Sequence, residues 1–217
     1  MTGVAFDTLQ NKNNELIRRT IDGSVFLAPF SATAITTLTD TDKLLKALPA
    51  GYDDLGWLDD SGATMARSVD TANATSWGAV EPTRTDITKD TKTIKVIAQE
   101  TKALTIGLYT GADMTGITAD PTSGEVDIAT PARPSVRHYR CLVLGVDLTD
   151  VGEIYQAKFY PRVSVTDYDD EKFQSKADDP VTRGVTLTAY IDSTLGYSAR
   201  DLYGGAGWFA LKSAMGF

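Results

Sequence analysis

Between Glu153 and Val165 the residues alternate in chemical character. Tyr155, Ala157, Phe159, Val163 and Val165 fall on one side of an extended chain, and Gln156, Lys158, Tyr160 and Arg162 fall on the other. A period of two is the signature of a β-strand, because successive side chains point to opposite faces of a sheet. Val185, Leu187, Ala189 and Ile191 repeat the pattern, with Thr186, Thr188 and Tyr190 opposite. Two such strands require a sheet, and their apolar sides nominate Phe159, Val163, Val185, Leu187 and Ile191 as core. Between them runs an acidic loop, Thr166 to Asp179, which carries Asp167, Asp169, Asp170, Glu171, Asp178 and Asp179. It is long for a hairpin connection, and loops of that length usually serve a function or lack order.

Other segments extend the β character. Ser24 to Ala28 follows the turn signal Asp22-Gly23, and residues 86–98 form a long polar–apolar strand with lysines on its exposed side, a device against wrong edge pairing. Val136 to Val146 contains the apolar run Cys141-Leu-Val-Leu144 and is expected to be covered on both faces; Glu125 to Ala129 reads as a short strand. Leu44, Leu45 and Leu48 before Pro49 suggest a helical turn capped by Thr41 or Asp42. Pro49 to Gly62 reads as a loop with aromatic anchors. Gln99 to Tyr109 is the one longer helix, stopped by Gly111; Leu104, Ile106 and Leu108 also alternate, so a strand is the second reading there.

The chain of 217 residues is long enough to bury roughly 70–75% of its unfolded surface without covalent staples. Its hydrophobic fraction of 42% and charged fraction of 23% are those of a globular protein rather than a disordered one. No apolar run approaches the length of a spanning helix, and residues 1–7 have neither the basic nor the apolar region of a secretory signal. A soluble chain made in a cytoplasm, without membrane contact, is the expectation.

Chemistry is excluded residue by residue. A lone Cys141 forbids an internal disulfide, and with a lone His138 it leaves no Cys/His zinc set. Nucleophilic hydrolysis needs a base near neutral pH, and His138, among Arg137, Tyr139 and Arg140, is read as structural. No phosphate-cradling or dinucleotide motif is present. The aspartate pairs lack the spacing of a calcium loop, and nothing selects two of them for glycoside hydrolysis. Trp57, Trp77 and Trp208 offer a sugar platform or, the blander reading, fold anchors and interface contacts. No catalytic residue, metal or cofactor is assigned.

Four stretches, in order, carry a resemblance: Gly51-Tyr-Asp-Asp-Leu-Gly-Trp-Leu-Asp-Asp-Ser-Gly62; Ser76-Trp-Gly-Ala-Val-Glu-Pro-Thr-Arg84; the strand and helix ending Leu108-Tyr-Thr-Gly111; and Ala189 to Ser198 followed by Gly204-Gly-Ala-Gly-Trp208. None is specific alone. Their joint order over about residues 20–210 resembles the major tail protein family of tailed bacteriophages, siphophage-like, whose members build the tail tube. The resemblance implies a mainly β subunit, a β-sandwich or half-barrel with one flanking α-helix and long loops. It implies a non-enzymatic virion protein that forms hexameric rings stacked into a tube. Its partners would be other copies of itself, a tape-measure protein inside the tube, and terminator and tip proteins at the ends. Double-stranded DNA would pass without specific binding. A 1–20 N-terminal arm and a single 21–217 domain, with no C-terminal decoration domain, are expected.

Twenty-nine acids against twenty-one bases give a net charge of −8. In a conduit, that acidity would repel phosphates and let DNA pass; the alternative is that it serves solubility alone. The arm, with Arg18 and Arg19, and the acidic loop are candidate contacts between stacked rings. Two other readings remain at this level: a type VI secretion-like tube, and a monomeric β-sandwich module for sugars or calcium.

Overall fold

The computed structural model describes residues 3–133, 135–175 and 180–217. Among them, eight antiparallel strands form one sheet: β1 (Asp22–Pro29), β2 (Asp53–Asp54), β3 (Leu58–Ala74), β4 (Arg84–Ala98), β5 (Tyr139–Thr149), β6 (Gly152–Tyr168), β7 (Arg183–Ala189) and β8 (Arg200–Gly204). The order across the sheet is β2-β1-β5-β6-β7-β4-β3. β8 lies beside the first half of β6, and β7 beside its second half. The helices are short: α1 (Phe6–Leu9), α2 (Ala103–Thr110) and α3 (Ala206–Leu211). The fold is mainly β, with α2 flanking the sheet and α3 packed on β6.

Both faces of the sheet are covered. One carries Val25, Leu27, Ile94, Val96, Cys141, Val163, Val185 and Leu187, closed by Leu108 of α2 and by Leu55. The other carries Leu142, Tyr155, Ala157 and Phe159 beneath Ile35 and Leu38 of the long β1–β2 connection. This is why Cys141 to Leu144 reads as a continuous apolar run: a strand buried on both sides has no polar face to alternate with. Burial raises the Cys141 thiol to about 12, so it is an inert core residue.

Phe159, Val163, Val185 and Leu187 are all buried, and Ile191 is 63% exposed. Ile191 is thus not core. β7 ends at Ala189, and the chain then turns around Asp192, whose carboxylate accepts the N–H groups of Thr194 and Leu195 at 2.8 and 3.2 Å. The turn breaks the alternation two residues before it reaches Ile191.

The single apolar side read along β6 is also corrected. Cys141 pairs with Tyr160 and Tyr139 with Val163, so Arg140 alone opposes Pro161 and Arg162. This is a β-bulge, and it inverts the alternation. Phe159 therefore points into one core and Val163 into the other. Pro161 suits the bulge because it has no N–H to donate.

Three further expectations change. Glu125 to Ala129 is not a strand: the Asp120 carboxylate binds the N–H groups of Thr122 and Ser123, and the Asp120 N–H donates to Glu125, closing a turn. Leu44 to Leu48 is not helical; Thr39 forms a bridge with Leu45 instead. The helix is α2 rather than Gln99 to Tyr109, because Gln99 donates to the Trp57 carbonyl at 3.0 Å and stays extended. Gly111 ends α2 as expected, at φ 68°.

Candidate assembly surfaces

β3 and β4 pair with each other over almost their whole length, but β4 pairs with β7 only from Thr93 to Ala98. Beyond Thr93 the two strands leave the sheet as a free hairpin, running from Arg67↔Lys92 to Ala74↔Arg84. At about 3.4 Å per residue it projects roughly 25–30 Å. Its residues are exposed on both faces, so no apolar alternation marks β3 in the sequence. What holds it is cross-strand chemistry. Arg67 grips Asp90 through two bonds of 2.9 and 3.1 Å, and Lys92 adds a third at 2.9 Å. These cations hold the Asp90 carboxyl down to about 2. Ser76 and Thr83 hydroxyls bond at 2.8 Å across the tip.

At that tip stand Trp77 and Val80, with relative exposures of 106% and 100%. A large aromatic with no contact in its own chain is unlike a fold anchor and like an interface anchor. Along the hairpin Met65, Val69 and Ile87 add exposures of 40%, 41% and 66%. Met65 pairs with core residue Ile94, so this stripe continues the buried face of the sheet out into solvent.

The second surface is a cleft of about 770 Å³ between the start of β3 and the β5–β6–β8 end of the sheet. Val143, Gly145, Asp59, Asp60, Asp201 and Tyr203 are among the residues that line it. Six carboxylates line it against two lysines. The Asp59 carboxyl is pushed below the usual range by the hydroxyl and N–H of Ser61. Lys102 and Lys158 pair with Glu100 and Asp201, so Asp22, Asp54, Asp59 and Asp60 give the cleft its net acidity.

The arm and the acidic loop are placed as follows. Residues 3–19 lie mostly exposed, with Val4, Phe6, Leu9 and Ile17 uncovered. Arg18 does not reach outward: it pairs with Asp147 at 3.4 Å, and the two side chains are only 16% and 10% exposed. Arg19 is exposed. In the loop, Asp167 belongs to β6, where it opposes Thr186. Asp169 pairs with Lys95 at 2.8 Å and Glu171 with Arg183 at 2.9 Å, and the Asp169 carbonyl accepts from Tyr109. The first part of the loop is therefore anchored, contrary to its polar composition. Asp170 is exposed; Asp178 and Asp179 lie outside the described residues. Among the described residues, the structure thus does not bring Arg18 and Arg19 together with the loop acids within one chain.

His138 sits in a structural setting. Its Nε2 accepts from Arg162 at 2.9 Å, since a guanidinium can only donate, and the rings of Phe30 and Tyr190 meet it edge-on. Burial, then the Arg162 charge, lowers its pKa from 6.5. A depressed pKa means that the unfolded chain binds more protons, so this arrangement stabilises fully above pH 6.5 and is lost as pH falls through the lower folded value. His138→Gln is expected to flatten the fall in urea midpoint between pH 7 and 5. An unchanged pH profile would contradict it.

Among the described residues no group of three or more His, Cys, Asp or Glu is arranged to hold a metal ion, and no helix is long and apolar enough to cross a membrane. A family model described as phage tail tube protein matches residues 10–199 of the chain. No curated protein matches it.

Proposed function

The chain belongs to the phage tail tube protein family, and on that premise we propose that six copies close into a ring and that rings stack into the hollow tube of a phage tail. It is a structural virion protein. The observation that carries the ring is the open sheet. β3 presents a 17-residue outer edge, and at the other end the two-residue β2 covers only part of β1. Exposed edges invite pairing with another chain, and a head-to-tail contact that closes forms a ring without leaving free edges. The hairpin and the arm supply separate surfaces for stacking.

In this reading the tube encloses a tape-measure protein, ends on terminator and tip proteins, and later conducts double-stranded DNA past an acidic wall. The subunit is one domain, residues 21–217, preceded by the arm. Arm and acidic loop meet between rings, where the exposed Arg19 and Asp170 pair across copies while Arg18, Asp169 and Glu171 already have partners at home. Reversing the two arginines separates these roles. Arg19→Glu is expected to lower tube yield from a normally folded subunit. Arg18→Glu is expected to lower the melting temperature by placing a carboxylate beside buried Asp147. Equal effects of the two on both readouts would remove the distinction.

Negative-stain electron microscopy over a concentration series tests the function. Hollow tubes of uniform diameter are the expected result. A monomer at every concentration, with or without added tail-tip complex, would sink the reading.

A further inference from the structure

The geometry points to a knob-and-socket contact: the hairpin tip of one copy, led by Trp77 and Val80, seats in the acidic cleft of a second copy. This rests on the tube reading and names the surfaces that join its subunits.

Four observations converge. The tip is apolar and without contact in its own chain, Trp77 and Val80 being fully exposed. Every copy also carries an open cleft of about 770 Å³, ample for an indole and an isopropyl group together. The tip cannot fill its own cleft, because Met65 lines that cleft and the paired strands carry the tip roughly 25–30 Å beyond it. The strands are paired from Arg67↔Lys92 to Ala74↔Arg84, with one bulge between Asp70 and Thr71, so the hairpin, where formed, holds its tip away from its own cleft.

Chemistry matches as well as shape. The indole N–H is a donor without an acceptor role, and the cleft offers Asp59 and Asp60. Arg84, beside the tip, bonds Asp86 through its Nε at 2.9 Å, and its side chain is still 74% exposed, so the rest of its guanidinium can meet the acids of the cleft. Tyr203, half-exposed in the lining, stacks one ring face on Trp208 and offers the indole the other. Knob and socket lie on different parts of the subunit, so the contact is heterologous: each copy gives one tip and receives one. Repeated from copy to copy, such a contact builds a closed ring or an open stack.

Cysteine trapping tests the assignment, and buried Cys141 leaves the background silent. Ala79→Cys and Ser61→Cys place thiols at the tip and in the cleft lining, both at exposed positions. Mixed and oxidised under assembly conditions, the two single variants are expected to form a disulfide heterodimer, and the double variant a ladder. Trp77→Ala, whose circular dichroism should match the parent, is expected to raise the concentration needed for tubes at least tenfold.

Tubes that form from Trp77→Ala at the parent's concentration, without a tip-to-cleft disulfide, would overturn the contact and leave the tube reading standing. Preferential trapping of Ser61→Cys by Leu9→Cys would also overturn it, giving the cleft to the arm. A parent protein that never polymerises would overturn both.

Discussion

Phe159→Ala is expected to lower the folding free energy by about 3–5 kcal/mol, measured as a shift of the urea midpoint of the unassembled subunit. Phe159 is 0% exposed. It lies at the centre of the face made by Leu142, Tyr155 and Ala157 beneath Ile35 and Leu38. It also stands where β6 has neighbours on both sides, Leu142 of β5 and Arg200 of β8. Two backbone ladders hold the site open, so neighbouring side chains cannot collapse into the space left by the ring. Cavities that cannot collapse lie at the expensive end of the large-to-small range. With total stability of only about 5–15 kcal/mol for a domain, the variant should accumulate poorly before assembly is reached. Ile191→Ala is the control. At 63% exposure it should change stability by no more than about 0.5 kcal/mol. A large loss at Ile191 with none at Phe159 would restore the face assignment that plain alternation suggests.

The contrast between these two residues shows what periodicity can and cannot report. It reads burial through local regularity, so Phe159, Val185 and Leu187 were legible from their spacing alone. It fails where the backbone changes step. The bulge at Pro161 and Arg162 sends Phe159 and Val163 to opposite cores, although both belong to one alternating series. The turn on Asp192 likewise carries Ile191 out of the series. Proline in an apparent strand was the available signal for the first departure.

The assembly surfaces were harder to read. Residues 86–98 announce a strand, but its partner β3 is Ala-, Thr-, Ser- and Asp-rich and, from Thr64 onward, exposed on both faces, so it has no apolar period to detect. The cleft is built from β3, β5, β6 and β8, which are far apart in sequence. No local pattern encodes such a place. The acidic loop misled in the opposite direction: its charges suggested freedom, while Lys95 and Arg183 neutralise two of them in the same chain. Charge composition locates ions without saying which are already paired. The family resemblance rested on the order of glycine–aromatic stretches, and two of these supply Trp57 at the cleft and Trp77 at the tip.

Excising Arg67 to Lys92 and joining Ala66 to Thr93 through Asn-Gly is expected to leave a folded monomer that no longer polymerises. Ala66 and Thr93 face each other as a rung, and Asn-Gly closes two such strands through a tight turn that matches their twist. The residues from Arg67 to Asp90 are all exposed, so the body loses little packing and its melting temperature should move by only a few degrees. In the free subunit the hairpin does not repay its own ordering. Fixing backbone costs about 1–2 kcal/mol per residue, and an isolated two-stranded ribbon is marginal in water. The Arg67–Asp90–Lys92 cluster is open to solvent on its Arg67 side, with side-chain exposures of 62%, 30% and 24%, and ion pairs open to solvent contribute little. On the tube reading, the missing stabilisation comes from surface buried in another copy. Hydrogen exchange gives the same argument a second readout: hairpin amides should exchange quickly in the monomer and become protected in the tube. Tubes of normal yield from the shortened chain, or a hairpin equally protected before and after assembly, would mean that the projection serves something other than joining subunits.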